Sequence, residues 1–388
     1  MINFQYYNPA KIVFGVGAEK ELAVLLKPEK ATSLMLIYSG DFIKELGIYD
    51  VVRQACNELK IKFFENGNVE PNPRIELVRE LVSLGKENGV DFILAAGGGS
   101  AIDTAKAVAL GIPYDGDVWD FFVYDVAPHR VIPTGVISTL PASGSETSNC
   151  TIISNGLSKL GFEHNDIIPK FAIMNPKHTL TLPAYQTSCG VADILSHLLE
   201  RYFSDVPHTD VTDYLIEGAV KALLLNGERV IRKPDDINVR AEIQWLASIA
   251  HNNLLDTGRI GDWASHRIEH EISAQYGVTH GEGMAVALVA WTKYIAAKKP
   301  EKLAQLANRI FGVDYHDYTL NEMAEKLSEK LKNFFELLNL KTNLTQLGIG
   351  REHFRDMAAR ATKNGRRQIG HYFPLDEKRI EEVLEMAV

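Results

Sequence analysis

The sequence predicts an α/β unit built on a parallel, Rossmann-like sheet, followed by an all-helical unit. Three observations carry this. Short apolar runs alternate with amphipathic stretches from residue 1 to about 175, the pattern of strands that cross over through helices. Beyond Asn175-Pro176-Lys177 strand signals fade, and from Leu182-Pro183-Ala184 onward nearly everything has helical spacing. A chain of 388 residues also exceeds what one hydrophobic core usually serves. The expected division is therefore an α/β domain over residues 1–180 and an all-helical domain over 181–388.

In chain order, Lys11-Ile12-Val13-Phe14 reads as a short strand closed by Gly15 and Gly17. Leu34–Tyr38 reads as a buried strand, and Ser39-Gly40-Asp41 turns the chain into a stretch ending near Leu59. Ile61–Phe64 is another strand, and Pro71-Asn72-Pro73 precedes a helix from Ile75 to Asn88. Asp91–Ala96 is again strand, and Thr104–Leu110 again helix. The second half reads as helices over 185–203, 208–226, 238–255, 283–298, 300–311, 319–338 and 376–387, with Pro300 and Pro374 marking starts.

Gly97-Gly98-Gly99-Ser100-Ala101-Ile102-Asp103 follows a strand and opens a helix, the context a phosphate-binding loop needs. Glycines let the backbone approach a pyrophosphate, and the helix start offers free N–H groups and a positive dipole end. Ser100 and Asp103 also have capping-box spacing. The alternative is a glycine turn with a cap and no ligand. The loop is not GxGxxG, because Ile102 stands at the third glycine position, so a nucleotide site here departs from the usual fingerprint. After the apolar run Val131–Ile137, the segment Ser138–Asn149 brings many hydroxyls to the presumed sheet edge. Lys159, ten residues on, adds a charge that suits either a nucleotide or plain solvent.

In the helical half, Asp193 and His197 stand four apart within Gly190–His197 and share a helix face. Val191, Ile194, Leu195, Leu198 and Leu199 flank them, so the carboxylate needs compensation. Downstream, His266 and His270 share a face, and His280 lies in the glycine-flanked turn Gly277–Gly283. Asp193, His197, His266 and His280 together make four N/O ligands for one divalent metal. His270 is left as a neighbour suited to proton transfer, or as a packed neutral core histidine. The remaining histidines, His129, His164, His178, His208, His251, His316, His353 and His371, show no such partners, and Trp245, Trp263 and Trp291 read as core.

Composition narrows the classes. With 46% hydrophobic and 23% charged residues the chain is an ordinary globular one. A formal charge of −9 and the lack of a basic block argue against nucleic acid. Cys56, Cys150 and Cys189 form no CxxC pair, which suggests reduced thiols. No apolar run approaches the ~18 residues of a membrane span, and no apolar signal core opens the chain. The expectation is a cytoplasmic protein with no membrane partner.

Taken together, Gly97–Asp103, Leu140–Glu146, Gly190–His197, and His266-x-x-x-His270 with Thr279-His280-Gly281 resemble the iron-containing (group III) alcohol dehydrogenases. The resemblance spans the whole chain and lies in the butanol dehydrogenase and broad-range aldehyde reductase branch. It implies a dehydroquinate synthase-like helical half in which Asp193, His197, His266 and His280 hold Fe(II) or Zn(II); beside them His270 is the candidate catalytic proton relay. It implies a cofactor in the cleft between the domains. Gly97, Gly98, Gly99 and Ser100 would meet the pyrophosphate, Thr139 and Ser143 would line the nucleotide, Lys159 would stand near the nicotinamide ribose and Leu182 against the ring. Ser39, Gly40, Pro71, Asp103 and Ser145 complete the candidate cofactor residues. Where NAD-preferring members carry an acidic residue, this chain has Ser39, which cannot repel a 2′-phosphate, although Asp41 and Phe42 depart from the NADPH branch. The expectation is NADP(H) in preference to NAD(H). The implied activity is reversible hydride transfer with small aliphatic aldehydes or primary alcohols of the butanol type, in a homodimer. Its rivals are a glycerol or polyol dehydrogenase of the same fold and, from another class, a metallohydrolase.

Overall fold

The computed structural model describes residues 1–124 and 126–388. The chain forms two compact units, Tyr7–Leu182, and Pro183–Val388 joined by Met1–Tyr6. The sequence assigns the first six residues to the α/β unit. They pack instead with the helices, where the Ile2 amide donates to the Gly258 carbonyl at 3.1 Å.

Among the described residues of the α/β unit, eight strands form: β1 (Lys11–Phe14), β2 (Ser33–Tyr38), β3 (Lys62–Asn66), β4 (Phe92–Gly97), β5 (Thr134–Ser138), β6 (Cys150–Asn155), β7 (Ser158–Glu163) and β8 (Phe171–Met174). Six of them make one sheet in the order β1-β8-β5-β4-β2-β3, with every neighbouring pair parallel. Its helices are α1 (Leu22–Leu26), α2 (Phe42–Glu45), α3 (Ile48–Leu59), α4 (Ile75–Glu87), α5 (Gly99–Gly111) and α6 (Asp120–Val123). Strand side chains alternate, so Leu34, Leu36, Phe92 and Leu94 join one core while Met35, Ile37, Ile93 and Ala95 join the other. Both faces are covered, which is why β2 and β4 read as unbroken apolar runs. The sequence reading did not foresee the antiparallel β6–β7 hairpin, because Cys150–Asn155 and Ser158–Glu163 lack a clean apolar/polar alternation and follow a Ser/Thr-rich loop.

The helical unit comprises α7 (Ala184–Tyr202), α8 (Asp210–Arg232), α9 (Ile237–His251), α10 (Ala264–Tyr276), α11 (His280–Ala296), α12 (Glu301–Phe311), α13 (Leu320–Leu337), α14 (Phe354–Ala361) and α15 (Glu377–Met386). Every residue of α7 from Thr187 to Tyr202 is buried, as is α11 from Gly281 to Thr292. Helices apolar around most of their circumference belong in the middle of a bundle. Among the described residues no helix is long and apolar enough to cross a membrane.

One expectation about local geometry is corrected. His280 does not sit in a turn preceding a helix: it is the first residue of α11, after the Thr279 N-cap. Gly281 serves close helix packing, since a Cβ there would lie 2.1 Å from the Cys189 carbonyl oxygen. Because backbone cannot yield as a flexible side chain can, Gly281→Ala is expected to cost about 3 kcal/mol or more in urea unfolding.

Candidate metal and nucleotide sites

Parallel register gathers the first constellation. Tyr38 pairs with Ala96 and Gly97 with Ser138, so Ser39, the Gly97 loop and Thr139 leave adjacent strands at the same carboxyl edge. The Thr139 amide donates to the Gly97 carbonyl at 3.0 Å, and the Gly40 amide to the Gly67 carbonyl at 3.0 Å. β2 sends its chain to β3 on one side while β4 lies on the other. That is a topological switch point, where open α/β sheets bind ligands. Pro71 follows β3 at the same edge and is exposed. Leu182 ends the unit, half-buried.

α5 starts at Gly99 with Gly98 as N-cap and no capping side chain, so its first N–H groups face outward. The Ser143 hydroxyl packs so close that a Cβ on Gly99 would lie 2.5 Å from it. The expected capping box between Ser100 and Asp103 does not form. Asp103 is buried on the opposite side, where it accepts from the Ser145 hydroxyl at 2.6 Å and the Ile152 amide at 3.1 Å. Its carboxylate thus serves the chain's own donors. Lys106, one turn on, is fully buried and was not singled out from sequence. It donates to Ser145 Oγ at 2.9 Å, to the Ser148 carbonyl at 2.8 Å and to the Cys150 carbonyl at 2.8 Å. Lys159 lies buried on β7 within electrostatic reach of Asp103.

Burial pushes the Lys106 ammonium down to about 8, with Asp103 opposing the shift. A group whose folded value lies below its unfolded one carries its full penalty below the folded value and sheds it as pH rises to the unfolded one. Wild type should therefore gain roughly 2–3 kcal/mol on Lys106→Met between about pH 7.5 and about pH 10.5. Urea unfolding at both pH values measures this, and an unchanged difference would contradict it.

The second constellation lies in the helical unit. Asp193 and His197 project from α7, His266 from the first turn of α10, and His280 from the start of α11. Asp193 Oδ1 stands 3.7 Å from His197 Nδ1, 3.8 Å from His266 Nε2 and 3.4 Å from His280 Nε2. These separations exceed a hydrogen bond. They match donor-to-donor spacing around one ion with bonds of about 2.0–2.2 Å. Asp193 Oδ1, His197 Nδ1 and His266 Nε2 are buried without a hydrogen-bond partner, which marks these side chains as candidate ligands. Asp193, His266 and His280 form the tighter group, with ligand atoms within 4.8 Å of one another. His197 stands at its side, its ring centroid 4.6 Å from that of His266.

Electrostatics favour the metal-ready forms of two ligands. Burial opposes charge on Asp193, but His197, His280 and His266 outweigh it and hold the carboxyl well below its usual range. Burial, helped by His251, His266 and Arg201, keeps His197 neutral against the pull of Asp193. For His266 burial also opposes charge, yet Glu200 and Asp193 raise it.

Several residues here escaped the sequence reading. Glu200 contacts His266 Nδ1, and Glu269 contacts His280 Nδ1. His251, read as background, has its ring centroid 4.5 Å from that of His197. Trp263, read as core, stands 5.3 Å from His266, with the Arg201 guanidinium 4.5 Å over its ring. Trp245, also read as core, is largely exposed, whereas Trp291 is buried as expected. His270 is buried, with centroids 5.8 Å from His280 and 6.5 Å from His266. Only the helical spacing of Glu269 from His266 and of Glu200 from His197, three apart in each case, could have flagged the two glutamates.

Comparison with known proteins matches both halves of the chain to one family. The model of the iron-containing alcohol dehydrogenases matches residues 9–176, and that of the C-terminal region of the Fe-containing alcohol dehydrogenase family matches 187–388. The chain is 36% identical over 390 residues to the NADH-dependent butanol dehydrogenase A of Clostridium acetobutylicum, covering 100% of both chains. It is 31% identical to the NADPH-dependent aldehyde reductase YqhD of Escherichia coli, covering 98% of each. The crystal structure of NADH-dependent butanol dehydrogenase A from Thermotoga maritima superposes with a TM-score of 0.94 at 34% identity, covering 100% of this chain and 98% of that one.

Proposed function

The chain belongs to the iron-containing alcohol dehydrogenase family, and on that premise we propose reversible hydride transfer between a nicotinamide dinucleotide and small aliphatic aldehydes or primary alcohols of the butanol type. The observation that carries the reading is the convergence of three imidazole nitrogens on Asp193 Oδ1 at 3.4–3.8 Å. Asp193, His197, His266 and His280 would hold one divalent ion, and three imidazoles with a carboxylate suit Fe(II) or Zn(II). Such an ion supplies Lewis acidity toward a carbonyl or hydroxyl oxygen, and the nicotinamide supplies or takes the hydride.

The chain's own residues do the rest. The Gly97–Ser100 turn, Ser39, Gly40, Pro71, Thr139 and Ser143 orient the nucleotide at the sheet edge, and the start of α5 faces its pyrophosphate. Asp103 and Ser145, tied to Lys106, fix the loop that carries Ser143; Lys159 and Leu182 complete the nicotinamide end. His270 moves the proton that the substrate oxygen gains or loses. For the nucleotide we take NADP(H): Ser39 brings no carboxylate to the ribose position, and the exposed Asp41 is ion-paired to Lys44 at 2.7 Å. The working form is taken as a cytoplasmic homodimer.

Assays of butanal with NADPH and NADH in parallel, on protein of known metal content, test the reading. Turnover is expected only in metal-loaded protein, with kcat/KM favouring NADPH; a tenfold preference for NADH overturns the cofactor assignment. Asp193→Ala should abolish metal retention and activity together. A metallohydrolase would instead show no NAD(P)H fluorescence enhancement on mixing. His270→Ala is expected to lower kcat by about 10²–10⁴-fold; unchanged turnover at every pH removes it from the mechanism.

A further inference from the structure

Besides Asp193, two further carboxylates lie beside the candidate ligands. Glu200, on α7, is 1% exposed, and Glu269, on α10, is 0% exposed. Each meets the rear nitrogen, Nδ1, of a histidine whose Nε2 faces Asp193: Glu200 that of His266, Glu269 that of His280. A carboxylate accepts only, so each ring carries a proton on Nδ1 and, in its neutral form, presents its lone pair at Nε2.

The fold gives both glutamates their places. The N-cap of α10 is Trp263, which provides no side-chain cap. Glu200 does so from another helix, accepting from the Ser265 amide at 2.8 Å, the Ser265 hydroxyl at 2.5 Å and the His266 amide at 3.2 Å. The cap and the His266 contact share one carboxylate, so the first turn of α10 and the His266 ring are fixed as a unit. Glu269 passes α11 at Gly283, where a Cβ would lie 2.8 Å from its Oε1 and 2.9 Å from its Cγ. Glycine at 283 is thus what lets Glu269 reach His280. His197 lacks this arrangement: its Nδ1 faces Asp193 itself, and its ring leans on His251.

We propose that Glu200 and Glu269 are positioning residues that lock His266 and His280 in the metal-binding tautomer, making Asp193, His266 and His280 the rigid core of the site and His197 its less constrained fourth ligand. The proposal rests on the metal reading above. Outer carboxylates of this kind commonly set metal affinity by about 10–100-fold. Gln at 200 would keep one oxygen for the cap of α10 and turn its NH2 toward His266 Nδ1. That reverses the tautomer and puts a proton on Nε2.

The test is titration of metal-stripped, full-length protein with Co(II), followed by visible absorption, beside thermal melting of the metal-free proteins. Glu200→Gln and Glu269→Gln are expected to bind Co(II) about 10–100-fold more weakly than wild type, with metal-free melting midpoints unchanged. Gly283→Ala, which removes no site residue, is expected to weaken binding in the same direction. His197→Ala should lose less affinity than His266→Ala or His280→Ala. If both Gln variants bind as tightly as wild type, or weaken only as their metal-free forms melt earlier, the proposal is overturned. If His197→Ala loses as much as His266→Ala, the ranking of ligands is overturned. If wild type itself binds no Co(II), the metal reading fails, and the positioning role fails with it.

Discussion

The charge on Asp193 is the constraint around which the helical unit is arranged. A carboxylate 3% exposed on a helix flanked by Val191, Ile194 and Leu195 faces a desolvation penalty of several kcal/mol. Apolar packing cannot offset it, and no backbone donor reaches its Oδ1. Three imidazoles are brought to it from three helices instead, and two of these rings are backed by further buried carboxylates. Asp193, Glu200 and Glu269 thus set three buried carboxylates among three imidazoles. Arg201, buried and ion-paired to Asp256 at 2.9 Å, contributes one positive charge nearby, over Trp263. A divalent cation is the natural complement of such a set.

The same logic explains why α7 and α11 must approach closely. His280 opens α11 and has to meet a side chain of α7, which requires the two backbones to touch at Gly281 and Cys189. Glu200 extends the effect by capping α10 from α7. Site geometry and helix packing are one set of contacts here, so Asp193, His266 and His280 are held by the core rather than by loops.

In the α/β unit the governing constraint is register. Parallel strands paired Tyr38 to Ala96 and Gly97 to Ser138 bring three turns to one edge. The polar loop after β5 is held down by a buried lysine rather than by apolar contact. Lys106 satisfies hydroxyl and carbonyl groups that a loop so placed could not otherwise bury.

Much of this was legible in the sequence. The apolar alternation of β2 and β4, the glycine turn into α5 and the long helices follow from local spacing, because strand and helix periodicity depend only on near neighbours. Asp193 and His197 were visible together for the same reason. Local spacing could not assign the Asp103 carboxylate to Ser145 and Ile152 instead of a helix cap, nor distinguish His251 from the other histidines. Nor could it pair Glu200 with His266 or show that Met1–Tyr6 joins the helices. Those outcomes depend on which segments meet in space, and burial decides them: once a charged group is enclosed, the only partners left are those the packing brings. The sequence by itself determined the two-unit fold and the residue types of the centre. Only tertiary packing decided which carboxylate faces which ring.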